Sequence, residues 1–185
     1  NVTGSGRAQL VVEDGKQPAL RADGERLVYY NTREDMAGIS SFDPATGLNL
    51  RFTRFAEDNR PSWNPDGNRF AFGSNREGDR RWRIYVAWAD LDGESNNINF
   101  GEHPTWHPSA DTIVFRGCDE TGNRCGLWTM TGAGSGRSPL TSVPEDTMPA
   151  WSPDGRYVVF TSNGRHGNYD VYRVDTESGD VVRLT

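Results

Sequence analysis

At 185 residues, with 34% hydrophobic and 11% aromatic content, the chain is long enough for one domain with a substantial core. Its net charge of −6 weighs against a general nucleic-acid binder, and no stretch is long and apolar enough for a membrane-spanning helix. Basic residues are almost all Arg, with Lys16 the only Lys. This fits either a GC-rich codon bias or a binding face built on bidentate contacts. The chain begins at Asn1 without a signal peptide, which reads as a mature chain, an excised domain or a fragment.

One segment is then written four times. Pro18-Ala-Leu20, Pro61-Ser-Trp63, Pro104-Thr-Trp106 and Pro149-Ala-Trp151 follow one another at spacings of 43, 43 and 45 residues. A period in the forties made of short strands predicts an all-β fold, a β-propeller of four-stranded antiparallel blades. Residues 5–12 contain Ser5-Gly-Arg-Ala-Gln-Leu-Val11, which matches Ser135-Gly-Arg-Ser-Pro-Leu-Thr141 and so reads as the outer strand of a preceding blade. The four blades occupy residues 13–56, 57–100, 101–144 and 145–185 of a single domain or fragment spanning 1–185. The last blade already has its own fourth strand, so the ring is expected to be open or partial. Its ends can pair with missing blades or with a second copy.

The first blade turns at Asp23-Gly24 and has strands over Leu27 to Tyr29, Ile39 to Phe42 and Leu48 to Thr53. Leu20 stands where the others have Trp. The second turns at Asp66-Gly67, pairs Phe70 and Phe72 with Ile84 to Val86, and ends on a weak strand near Ile98 to Phe100. The third loses the Asp-Gly turn for His107-Pro-Ser-Ala110, which predicts a less ideal hairpin before Ile113 to Phe115, Leu127 to Met130 and a closing strand near Leu140. The fourth turns at Asp154-Gly155 and has strands over Met148 to Ser152, Arg156 to Ser162, Tyr169 to Asp175 and Val181 to Thr185. Trp63, Trp106 and Trp151, with Leu20, are expected to fill the gaps between neighbouring sheets; the alternative is that the rings line a ligand site. The recurring Pro fits a strand at a sheet edge.

Pro149-Ala-Trp-Ser-Pro-Asp-Gly-Arg-Tyr-Val-Val-Phe-Thr-Ser-Asn163 and Pro61-Ser-Trp-Asn-Pro-Asp-Gly-Asn-Arg-Phe-Ala-Phe-Gly-Ser-Asn75 closely resemble the TolB-type propeller repeat, and Asp170-Val-Tyr-Arg-Val-Asp175 continues the likeness. The resemblance implies blades around a central channel. Members of that family include periplasmic proteins and propeller domains attached to tricorn-type and prolyl-oligopeptidase-type peptidases. Their shared job is binding other proteins or restricting access. The repeat has no common catalytic residues, so none is carried over.

The search for chemistry is mostly negative. There is no Gly-x-Ser-x-Gly elbow, Gly132-Ala-Gly-Ser-Gly136 reads as a hairpin turn, and His103, His107 and His166 lack metal-ligand spacing. Cys118 and Cys125 flank the tip of a predicted hairpin. They read as a disulfide, hence an oxidising periplasmic or extracellular compartment, or otherwise as two reduced thiols. Acidic residues recur before the inner strands, at Asp14, Asp58, Glu102 and Asp146. Converging at the channel mouth they would hold a cation such as calcium or a partner's Arg or Lys; the plainer reading is ordinary solvated loops. Arg33, Arg76, Arg80, Arg81, Arg83, Arg124 and Arg165 crowd the loops between second and third strands, with Trp82 and Trp88 nearby. No cofactor is expected.

The leading expectation is a non-catalytic scaffold that binds another protein, with self-association to complete the ring as a further option. The first alternative is the substrate-gating propeller of a larger hydrolase. The second is a lectin or metal-dependent enzyme with a site at the channel.

Overall fold

Each repeat carries short runs of alternating apolar residues bounded by Gly, Pro and Asp turns, and each folds as one antiparallel meander. The computed structural model describes residues 10–90 and 94–185. The first sheet contains β1 (Gly15–Leu20), β2 (Leu27–Asn31), β3 (Gly38–Phe42) and β4 (Asn49–Arg51), and the second β5 (Asn59–Trp63), β6 (Arg69–Ser74), β7 (Arg83–Trp88) and β8 (Ser95–Phe100). The third contains β9 (Glu102–Trp106), β10 (Thr112–Cys118), β11 (Cys125–Thr131) and β12 (Ser138–Pro139), and the fourth β13 (Thr147–Trp151), β14 (Tyr157–Ser162), β15 (Asp170–Asp175) and β16 (Val181–Arg183). Strands pair in sequence order within every sheet. One 3-10 turn, Glu34–Met36, lies between β2 and β3. Among the described residues no helix is long and apolar enough to cross a membrane.

The outer strands are the least regular. The strand expected over Leu48 to Thr53 is only Asn49–Arg51. The one expected near Leu140 is the pair Ser138–Pro139, where Pro supplies no N–H to the ladder. Of the strand expected over residues 5–12, residues 5–9 lie outside the described part, and Leu10 to Val12 carry no strand.

The cores lie between blades, not within them. Val28 and Ile39 of the first blade pack against Trp63, Phe70, Phe72 and Tyr85 of the second. Ala71, Ile84 and Val86 pack against Trp106, Ile113, Phe115, Trp128 and Met130 of the third. Val114 and Leu127 pack against Val158, Phe160, Tyr172 and Val174 of the fourth. Among the described residues no core joins the fourth blade to the first, so the ring is open. Burial follows from this: Phe70 to Ser74 on β6 are buried on both faces, whereas β14 and β15 alternate, with only Val158, Phe160 and Ser162 and then Asp170, Tyr172 and Val174 buried.

The recurring Trp closes these seams. Trp63 Nε1–H donates to the Ala19 carbonyl of the preceding blade at 3.0 Å, and Trp151 Nε1–H to the Thr105 carbonyl at 3.2 Å. Trp106 is buried, but its Nε1 has no partner; its ring lies under the Arg69 guanidinium at 5.2 Å. Leu20 is 59% exposed, on a flank with no preceding blade among the described residues. The Asp-Gly turns serve the same seams. Gly67 and Gly155 have φ of 67° and 74°, and an added Cβ would strike Arg21 or His107 of the blade before. In the third blade, His107 Nδ1 accepts the Ser109 N–H at 3.0 Å, so the hairpin without Asp-Gly still closes.

Candidate functional site

Every inner strand is bent at one place. Gln17, Arg60, His103 and Met148, each directly before the repeat Pro, have φ between 52° and 55°. The register slips there in all four sheets. A side chain in this left-handed region costs about 1–2 kcal/mol, so the bulges are a feature the fold maintains. They turn the four residues, with their prolines, onto a 370 Å³ cavity at the axis. Gln17 Oε1 accepts the Arg60 N–H at 3.0 Å, and His103 Nδ1 lies 2.8 Å from Thr147 Oγ1, so adjacent blades are tied at this cavity. Burial, with Arg60 and Arg116 nearby, pushes the His103 imidazole down to about 4. It is therefore neutral near pH 7, and its 3.8 Å approach to Glu102 is not an ion pair.

In a four-stranded meander the start of the first strand and the connection between second and third lie at the same end. This brings the acidic residues and the loop arginines together. Asp146 accepts both Nε–H and Nη2–H of Arg165, at 3.0 and 2.6 Å, and is fully buried. Asp58, also fully buried, lies 3.2 Å from Arg76 Nη2 without hydrogen-bond geometry. Burial pushes its carboxyl up, opposed by the hydroxyls of Thr53 and Ser74 and by Arg76. Glu102 pairs with Arg116. Asp14 is exposed and its carbonyl accepts from Thr32, while Arg33 pairs with Asp35. The expected convergence of free carboxylates is thus corrected. Asp58, Glu102 and Asp146 are each neutralised inside their own blade, and two of them do not reach solvent. Among the described residues no group of three or more His, Cys, Asp or Glu could hold a metal ion.

Each of the second, third and fourth blades also has a cross-strand aromatic couple. Phe72 faces Tyr85 on β6 and β7, Phe115 faces Trp128 on β10 and β11, and Phe160 faces Tyr172 on β14 and β15. Arg76 lies 5.2 and 4.0 Å over its two rings, and Arg165 5.4 Å over each of its own. In both blades the arginine that covers the rings also faces the buried Asp, and in the fourth it is hydrogen-bonded to it.

The third blade departs from this plan. Counted back from the repeat Pro, Asp58 and Asp146 stand at the third position, and that position is Gly101 in the third blade. Glu102 stands one residue later. The hairpin that supplies the loop arginine elsewhere is closed by a Cys118–Cys125 disulfide, as the spacing suggested. The ring pair is covered by Arg137, 5.0 Å over Trp128 and 5.9 Å over Phe115, reaching in from just before β12. Its Nη2–H donates to the Cys118 carbonyl, and its buried Nε has no partner. A 620 Å³ cleft opens here over the seam between second and third blades. Arg81, Trp82 and Phe100 wall it on one side, Cys118 and Arg137 on the other, and Gly101 lies in it. The Arg81 guanidinium lies 3.7 Å over the Phe100 ring.

Of the residues singled out from sequence, Trp82, Arg81, Glu102 and the two cysteines meet at this cleft. Arg76, Arg83 and Arg165 are held by acidic partners. Arg116 and Arg137 were missed. The acid–arginine pairing was visible in principle as a similar separation, 18 residues for 58 to 76 and 19 for 146 to 165.

No family model matches the chain. It is 31% identical over 124 residues to the Tol-Pal system protein TolB of Bordetella pertussis, covering 65% of this chain and 28% of that protein. It is 28% identical over 145 residues to an uncharacterised protein of Agrobacterium fabrum, covering 72% of this chain and 50% of the relative. The chain thus spans half or less of the length of these relatives. Among solved structures, TolB from Acinetobacter baumannii superposes with a TM-score of 0.79 at 21% identity, over 92% of this chain and 43% of that one. Propellers of oligogalacturonate lyase and of acylaminoacyl peptidase superpose with TM-scores of 0.63 and 0.64, at 20% and 15% identity, and these likenesses show the fold alone.

Proposed function

We propose that this chain, a member of the TolB-type β-propeller repeat family, is a non-catalytic platform that binds another protein outside the cytoplasm. The observation that carries this reading is the state of the titratable groups on the face that bears the inner-strand starts. Glu102 and Asp146 are hydrogen-bonded to arginines, Asp58 is buried 3.2 Å from Arg76, and His103 is held neutral by burial. Groups so committed position the blades and are poorly placed to shuttle protons. What the same face offers to a visitor is arginine and aromatic surface, Arg81, Trp82 and Phe100, the residue types enriched at protein hot spots. The disulfide supports an oxidising compartment. The exposed flank at Leu20 is where a further blade, or a second copy of the chain, packs to extend the ring.

The test is to cross-link the whole chain in an envelope extract of its source, purify the captured protein, and titrate the two together. A saturable complex is expected, with no turnover of peptide anilides or of oligogalacturonate with manganese. Turnover of either substrate, or no complex with any purified candidate, overturns the reading. A second reading, the gating propeller of a peptidase, is favoured by 30% identity over 109 residues to an uncharacterised peptidase of Bacillus subtilis, YuxL. A hydrolase domain in the same reading frame would move the assignment there.

A further inference from the structure

The second and fourth blades each bury one carboxylate above their aromatic couple, and an arginine stacked on that couple faces it. The third blade keeps the couple and the stacked arginine but has Gly101 where the Asp should stand. The nearest acids do not replace it. Glu102 is held by Arg116, Asp119 is taken up by its own loop, accepting from Thr121 Oγ1 at 2.8 Å and from the Asn123 N–H at 3.0 Å, and Glu120 lines the same cleft as an exposed side chain outside ion-pair distance of Arg81 and Arg137. Among the described residues neither Arg137 nor Arg81 has a carboxylate within ion-pair distance. Both line the 620 Å³ cleft, beside the apolar surfaces of Phe100 and Trp82.

We propose that this cleft is a docking site for an acidic segment of a partner protein, one that carries an aromatic or large aliphatic residue beside its carboxylates. The partner's carboxylate takes the role that Asp58 and Asp146 play in their own blades and meets Arg137. A second carboxylate meets Arg81, whose stacking on Phe100 presets its fork. The apolar residue lies against Phe100 and Trp82. A peptide fits these features better than an acidic sugar, because much of the lining is apolar and two aromatic side chains flank the charges. The inference rests on the reading of the chain as a protein-binding platform and names the chemistry of the partner.

The test uses the whole oxidised chain and the peptide acetyl-Asp-Glu-Phe-Asp-Glu-amide, titrated by calorimetry and by tryptophan fluorescence. Saturable binding is expected. The Asn/Gln copy of the peptide and the variants Arg81→Gln and Arg137→Gln should each lose at least about tenfold in affinity, the scale of one charge-assisted hydrogen bond. Arg81 is exposed, so Arg81→Gln keeps the test valid if Arg137→Gln fails to fold. The proposal is overturned if the acidic peptide does not bind or the neutral copy binds equally well. It is also overturned if folded Arg81→Gln binds like the parent, or if tetragalacturonate binds and the peptide does not. If a cross-linked partner binds the chain and is indifferent to Arg81→Gln, the platform stands and this site falls.

Discussion

The fourth and third blades start from the same plan and finish it differently. The fourth fills the space above Phe160 and Tyr172 with the Asp146–Arg165 pair, joined by two hydrogen bonds and shut away from solvent. It also donates its Trp151 indole N–H to the blade before. The third has glycine for the acid, a disulfide at the hairpin, an arginine with a buried donor unpaired, and a Trp106 whose Nε1 meets nothing. Departures from an otherwise self-consistent plan tend to collect where a protein does its work. Here the glycine, the disulfide and the arginine meet at one cleft, and Trp106 lies outside it.

Substitutions sharpen that contrast, the largest effect first. Asp146→Asn leaves Arg165 buried beside a neutral amide and should cost about 3–5 kcal/mol by urea denaturation. Asp58→Asn should cost less, because burial already drives that carboxyl toward its neutral form. A loss at Asp58 equal to that at Asp146 would break the argument for the two geometries.

Acid should weaken the seams through His103. Its folded pKa, about 4, lies below the usual His value of 6.5, so the unfolded chain takes up a proton that the folded chain refuses as pH falls from about 6.5 to 4. Stability should drop by ~2–3 kcal/mol across that window. Denaturation of parent and His103→Gln at both ends of it should show the drop in the parent and a smaller one in the variant. Removing the disulfide, which closes a separation of only 7 residues, should cost about 2 kcal/mol in the chain-entropy model. Cys118→Ser/Cys125→Ser against the oxidised parent measures it. The smallest contrast is between tryptophans. Trp151→Phe loses a hydrogen bond and Trp106→Phe loses none, so Trp151→Phe should cost about 1 kcal/mol more than Trp106→Phe for the same ring change.

The sequence made the blades legible because the fold repeats its own punctuation. Trp63, Trp106 and Trp151 mark the seams, and Gly67 and Gly155 mark turns that need both a positive φ and room for the neighbouring blade. The inner-strand bulges were not legible. A residue before Pro is normally driven to extended backbone, yet Gln17, Arg60, His103 and Met148 are left-handed, and Gln17, Arg60 and His103 make hydrogen bonds to an adjacent blade. The site was half legible. Grouping Asp58, Glu102 and Asp146 as equivalents hid the fact that Gly101 is the true counterpart, a shift of one residue that sends the side chain to the other face of the strand. Arg137 was invisible because it reaches the aromatic couple from outside the loop that supplies Arg76 and Arg165.

Hydrogen exchange of the whole oxidised chain, with and without acetyl-Asp-Glu-Phe-Asp-Glu-amide, tests the central claim most directly. The expected result is slowed exchange at residues 100–102 and 116–122, with the matching amides of the fourth blade, 145–147 and 161–167, unchanged. Protection spread equally over both blades, or none at the third, would contradict it.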